Sequence, residues 1–79
     1  MDNNHVVSLA SLPDGQEGAV IAIQGGHGFM GRLAALGFTP GATVRVVRNP
    51  HGGPIIVSIL DTQIALGRGQ ARHVMVRPR

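Results

Sequence analysis

The chain reads as a mainly β protein: a small antiparallel barrel of about five strands, with one short helix inserted after the first strand. Three observations carry this. Apolar residues alternate with period two in five short stretches, the period changes to 3.6 only between His27 and Leu36, and clusters among the 12 Gly and 5 Pro cut the chain into short pieces. With one helix among five strands, a doubly wound parallel sheet is excluded, because each of its crossovers needs about ten or more residues. A barrel also removes exposed strand edges, which suits a chain rich in β-branched residues.

Each element has a local cause. Ser8 to Gly15 ends in the turn signal Pro13-Asp14-Gly15, so Leu9 and Leu12 are expected to tuck an irregular lead-in onto the core. In Gly18 to Gln24, Ala19, Ile21 and Ile23 alternate with Val20, Ala22 and Gln24, giving the first strand, and Gly25-Gly26 ends it. From His27 to Leu36, Phe29, Met30, Leu33, Ala34 and Leu36 recur at spacings of three and four, which predicts one apolar helix stripe stopped by Gly37. After Thr39-Pro40-Gly41 a strand follows with Val44 and Val46 inward and Arg45 and Val47 outward, up to a hairpin tip at Asn49-Pro50-His51-Gly52-Gly53. Pro54 to Leu60 sets Ile55, Val57 and Ile59 against Ile56, Ser58 and Leu60, and Asp61-Thr62 turns it into Gln63-Ile64-Ala65-Leu66. Gly67 to His73 is long enough for one helical turn, and Val74 to Arg77 is the closing strand, ended by Pro78.

Composition bounds the function. At 79 residues the chain is a single domain, residues 1–79 with a flexible start over 1–6, and 43% hydrophobic content with 14% charged residues predicts that it folds. Without cysteine it has no disulfide framework, thiolate metal cage or cysteine nucleophile. The longest unbroken apolar run, Ala19 to Ile23, is far short of the roughly 20 residues of a membrane helix, and the start lacks a secretory pattern; a cytoplasmic protein with no direct membrane insertion is expected. The net charge of +3 comes entirely from arginine on the basic side, and Arg68, Arg72, Arg77 and Arg79 concentrate it in the tail. Guanidinium forks suit oxyanions, so a nucleic-acid-binding small barrel is the alternative reading, but the only aromatics are Phe29 and Phe38, both expected in the core, so there is no stacking platform and no nucleic acid is expected.

Motifs are weighed by context. Gly26-His27-Gly28-Phe29-Met30-Gly31 satisfies G-x-G-x-x-G between a strand and a helix, yet no acid stands about 20 residues on and the next strands pair as hairpins, so a dinucleotide site is not supported. His5, His27, His51 and His73 show no i, i+3 or i, i+4 pairing. Imidazole suits Zn or Fe(II), so a surface-bound ion at His51 or His73 stays open against ordinary surface histidines, and no cofactor is required. Ser8, Ser11, Ser58, Thr39, Thr43 and Thr62 occur without a nucleophile elbow, and four carboxylates are scattered, so no enzyme is expected. Val20, Val47, Ile56, Leu60 and Met75 fall on the outward phase of their strands, a surplus that predicts a partner surface or a weak homo-oligomer contact unless the helix covers it.

Taken together, Leu9-x-x-Leu12-x-x-Gly15, Arg32-Leu33-x-x-Leu36-Gly37-Phe38-x-Pro40-Gly41, Gly53-Pro54, Ile64-x-Leu66 and Val74-x-Val76 resemble the FeoA family of ferrous iron transport, over Val7 to Arg77. The resemblance implies an SH3-like barrel acting as a cytoplasmic accessory protein of FeoB, a membrane iron permease with a GTP-binding domain. Similar domains end metal-dependent repressors of the diphtheria toxin repressor type; the short hydrophilic start favours the free-standing transport protein. Around Pro50-His51-Gly52-Gly53 and Gly69-Gln70-Ala71 the acids common in the family are missing, which argues against direct cation binding by these loops. The expected partner-binding residues are Arg32, Met30, Val47, Ile56, Leu60 and Met75, an apolar face with arginine at its rim.

Overall fold

The structure, a computed structural model, describes residues 5–50 and 52–79. Its strands are β1 (Val7–Ser8), β2 (Glu17–Ile23), β3 (Thr43–Arg48), β4 (Ile55–Ile59), β5 (Thr62–Leu66) and β6 (Val74–Pro78). Two helices interrupt them, α1 (His27–Ala35) after β2 and α2 (Arg68–Ala71) before β6. All six strands form one antiparallel sheet in the order β1-β6-β2-β3-β4-β5, curled around a single apolar core to which every strand but β1 contributes a buried residue. The sixth strand is a difference from the five expected. Val7 and Ser8 pair with Val76 and Met75, and the lead-in then makes a single 3-10 turn over Leu9–Ser11. Of the flexible start expected over residues 1–6, residues 1–4 lie outside the described residues.

The core explains the alternation. Val44, Val46, Ile55, Val57, Ile59, Val74 and Val76 are buried, each flanked by outward neighbours, as period two requires. β2 departs from expectation: Val20 is fully buried, whereas Ile21 and Ile23 are half-buried. In Gly18-Ala19-Val20-Ile21-Ala22-Ile23 every position is small or apolar, so alternation carries no phase. A bulge between Val20 and Ala22 then shifts the register with β6. A similar shift falls between Val46 and Arg48, and Val47 between them is half-buried.

The helix differs too. Of the predicted stripe only Leu33 is buried; Phe29 is half-buried, while Met30 and Leu36 are 40% and 42% exposed. Nine residues without a side-chain N-cap or an acidic first turn make a weakly specified helix, held chiefly by Leu33 and by its stop. At that stop Gly37 adopts φ +108°, and the Phe38 N–H turns back to the Leu33 carbonyl at 3.0 Å.

One side chain ties the lead-in to the sheet. Asn49, just past β3, donates through Nδ2 to the carbonyls of Ala10 (3.0 Å) and Leu12 (2.7 Å) and accepts from the Arg68 guanidinium at the start of α2. Its backbone N–H donates to Asp14 Oδ1 at 2.6 Å. This network seats Leu9 and Leu12 over the core.

Candidate docking groove

Because α1 covers little of the sheet, a groove of about 510 Å³ opens between the helix and the second half of β2. Its walls are Val20, Ile21, Ala22 and Ile23 on the strand, His27, Met30, Gly31 and Ala34 on the helix, and Phe38, Thr39 and Pro40 beyond it. Among the described residues no carboxylate lines it. It persists because β3 pairs β2 only over Glu17 to Ala19, with Val20 tied to Gly41 and Ala42, so beyond Val20 that side of β2 has no strand neighbour among the described residues. The Gln24 N–H donates to the His73 carbonyl at 2.8 Å; by strand alternation the backbone groups of Ile23 face the groove instead. A concave surface of this size and polarity suits an apolar ligand or a protein segment. A depression of about 620 Å³ beside Asn49 is of another kind, lined by Asp14, Asn49 and Arg68 among others.

The residues expected to bind a partner separate into distinct places. Met30 lines the groove, and Met75, half-buried on β6, pairs across from Ala22 of its wall. Arg32 is exposed but lies about 150° around the helix axis from the groove-lining residues, so it is no rim to them. Ile56, half-buried, pairs with Arg48 on the β3–β4 hairpin, in the neighbourhood of Val47. Leu60 stands alone at the β4–β5 turn, 73% exposed, with its side chain over Gly37. Ile21, Ile23 and Pro40 were missed as surface residues; the clue was the shortness of the following helix, too small to cover a continuous apolar strand.

For metal ligands, His73 is exposed and its ring meets that of Phe29 edge-on, with centroids 6.0 Å apart. Phe29, expected in the core, is half-buried and packs against the core's edge. His51 lies outside the described residues. Among the described residues no three His, Asp or Glu side chains cluster in a way that could hold an ion. None of their helices is long and apolar enough to cross a membrane.

A family model described as FeoA domain matches residues 7–78, nearly the whole described chain. The chain belongs to the FeoA family. Over 68 residues it is 41% identical to a curated Fe(2+) transport protein A of Methanocaldococcus jannaschii, covering 86% of this chain and 82% of that protein. A crystal structure described as an iron uptake regulatory protein, FeoA, superposes with a TM-score of 0.90 at 41% identity, spanning 95% of this chain and all of the other. The Stenotrophomonas maltophilia FeoA complexed with zinc, described as a procaryotic SH3 domain protein, gives 0.82 at 30% identity over 92% and 95% of the two chains. The SH3-like architecture expected from the sequence is therefore the fold of this FeoA protein.

Proposed function

We propose that this FeoA protein is a non-enzymatic cytoplasmic accessory of ferrous iron uptake, docking on the cytoplasmic portion of a FeoB-type GTP-binding permease and modulating it. The observation that carries this reading is the groove. Ile21 and Ile23 of β2 and Met30 and Ala34 of α1 stand around an open concavity of about 510 Å³. Keeping such a surface open is costly for a thin core, and contiguous apolar surface of this kind marks an interface. Family membership supplies the class of partner, and Fe(II) is the transported substrate rather than a resident cofactor of this chain.

In this reading the two sides of α1 have separate roles. The groove supplies apolar contact area through Met30 and Ile23, and Arg32, on the other flank of the helix, supplies a charge that steers encounter without lining the contact. A polar substitution in the groove therefore acts on the dissociation rate, whereas Arg32→Ala acts on the association rate and its salt dependence. Surface plasmon resonance against the permease's isolated cytoplasmic domain, with and without GTP, tests this. Met30→Glu is expected to weaken binding at least tenfold with unchanged thermal stability; equal binding by Met30→Glu and the unaltered protein removes the groove from the contact.

A further inference from the structure

The sheet ends in a strand without the protections that edge strands ordinarily carry. β5, Thr62-Gln63-Ile64-Ala65-Leu66, is last in the strand order and has no charge, no proline and no bulge against β4. The opposite edge, β1, is only two residues long. Barrel closure, expected from the sequence to remove edges, is thus incomplete: β1 and β5 are both ends of the ladder.

The free groups on β5 can be assigned. Leu60 and Asp61, at φ +50° and +61°, form the two-residue turn closed by Ile59 and Thr62. Antiparallel alternation then directs the N–H and C=O of Thr62, Ile64 and Leu66 at β4 and those of Gln63 and Ala65 outward. Among the described residues no backbone or side-chain partner reaches these four outward groups. Ile64 packs against the core yet is only half-buried, and among the described residues no strand pairs on its outer side.

We propose that β5 is a self-association edge whose occupant is β5 of a second copy, antiparallel about a two-fold axis at Ile64. In that register Gln63 faces Ala65 of the second copy and Ala65 faces its Gln63, so all four outward groups on each strand are used in four hydrogen bonds. The two Ile64 side chains meet in the closely spaced pair between them and complete each other's burial. Thr62 faces Leu66 at both ends of the contact. The contact is isologous and closes at two copies. It spans five residues a side, well short of the roughly 1,200 Å² of a stable complex, so the dimer is weak and forms at high local concentration.

Sedimentation equilibrium of the full chain from about 20 μM to about 2 mM is the test, a range chosen for a weak small-area contact. The weight-average mass is expected to rise from 8.2 kDa toward twice that value. Ala65→Pro, which removes an outward donor from an edge position that tolerates proline, is expected to stay at the monomer mass throughout. On the unaltered chain, amide exchange of Gln63 and Ala65 is expected to slow severalfold at the higher concentration while other exposed amides keep their rates; this reading holds even if the proline variant fails to fold. A mass fixed at 8.2 kDa up to 2 mM overturns the proposal, as does an equal rise in Ala65→Pro. Protection of both amides that is independent of concentration also overturns it, and would place a segment of the same chain on the edge.

Discussion

At the level of single residues, Gly37 and Leu60 are linked in a way that separates stability from recognition. A Cβ at Gly37 would meet Leu60 Cδ1 at 2.7 Å, and the φ of +108° is itself unfavourable for any L side chain. Gly37→Ala is expected to cost about 1–2 kcal/mol, partly recovered in combination with Leu60→Ala, and a double-mutant cycle by urea unfolding checks the coupling. Leu60 does the reverse of what a stabilising turn requires. A turn with positive φ at both central positions prefers Asn-Gly, so Leu60→Asn together with Asp61→Gly is expected to stabilise the protein by about 0.5–1 kcal/mol, raising Tm by several degrees. An unchanged or lowered Tm would mean that Leu60 contributes packing on Gly37 that outweighs its backbone strain. None of this was legible in the sequence, where Leu60 read only as an outward residue at a strand end; the positive φ follows from the length of the turn, which the pattern Leu60-Asp61-Thr62 left a residue out of place.

Among the elements, α1 and the lead-in each rest on few side chains, and they should fail differently. Leu33 is the one buried residue of the helix, so Leu33→Ala, at about 2–5 kcal/mol for a buried leucine, is expected to release α1 while the sheet persists. Amide exchange would then accelerate across 28–36 and leave β3 and β4 protected. Asn49→Ala removes two hydrogen bonds to Ala10 and Leu12 and one of the two acceptors of Arg68, the other being the Pro50 carbonyl, and a loss of about 1–3 kcal/mol is expected, centred on the lead-in. Asn49→Asp should be nearly as damaging because it cannot donate. Element existence was legible because β3, β4 and β6 alternate strictly and Gly37 marks a helix stop. The phase of β2 was not, because glycine and alanine erase the contrast between its faces and the bulge after Val20 cannot be seen locally. The Asn49 network was equally hidden, since it joins residues 37 and 39 positions apart.

For the whole molecule, charge and apolar surface make separate predictions. A pI near 11.6 with four arginines in the last twelve residues invites a phosphate-driven reading. Binding dominated by phosphate contacts loses about a thousandfold or more between 50 and 200 mM salt. Docking through the groove should change by only severalfold over that range, most of it in the association rate. The family signature was legible because turn glycines and core leucines such as Leu33, Gly37 and Pro40-Gly41 are local and fixed by backbone geometry. The groove was only partly legible: Met30 was expected at the surface but grouped with Arg32, which the helix turns to its other flank, and Ile21 and Ile23 were assigned inward.

The measurement that bears most directly on the proposed role is a titration of the protein against the permease's isolated cytoplasmic domain at 150 mM salt, with Met30→Glu and Arg32→Ala in parallel. Saturable binding lost in Met30→Glu and kept, with slower association, in Arg32→Ala is expected. Binding abolished by Arg32→Ala and untouched by Met30→Glu would contradict docking through the groove.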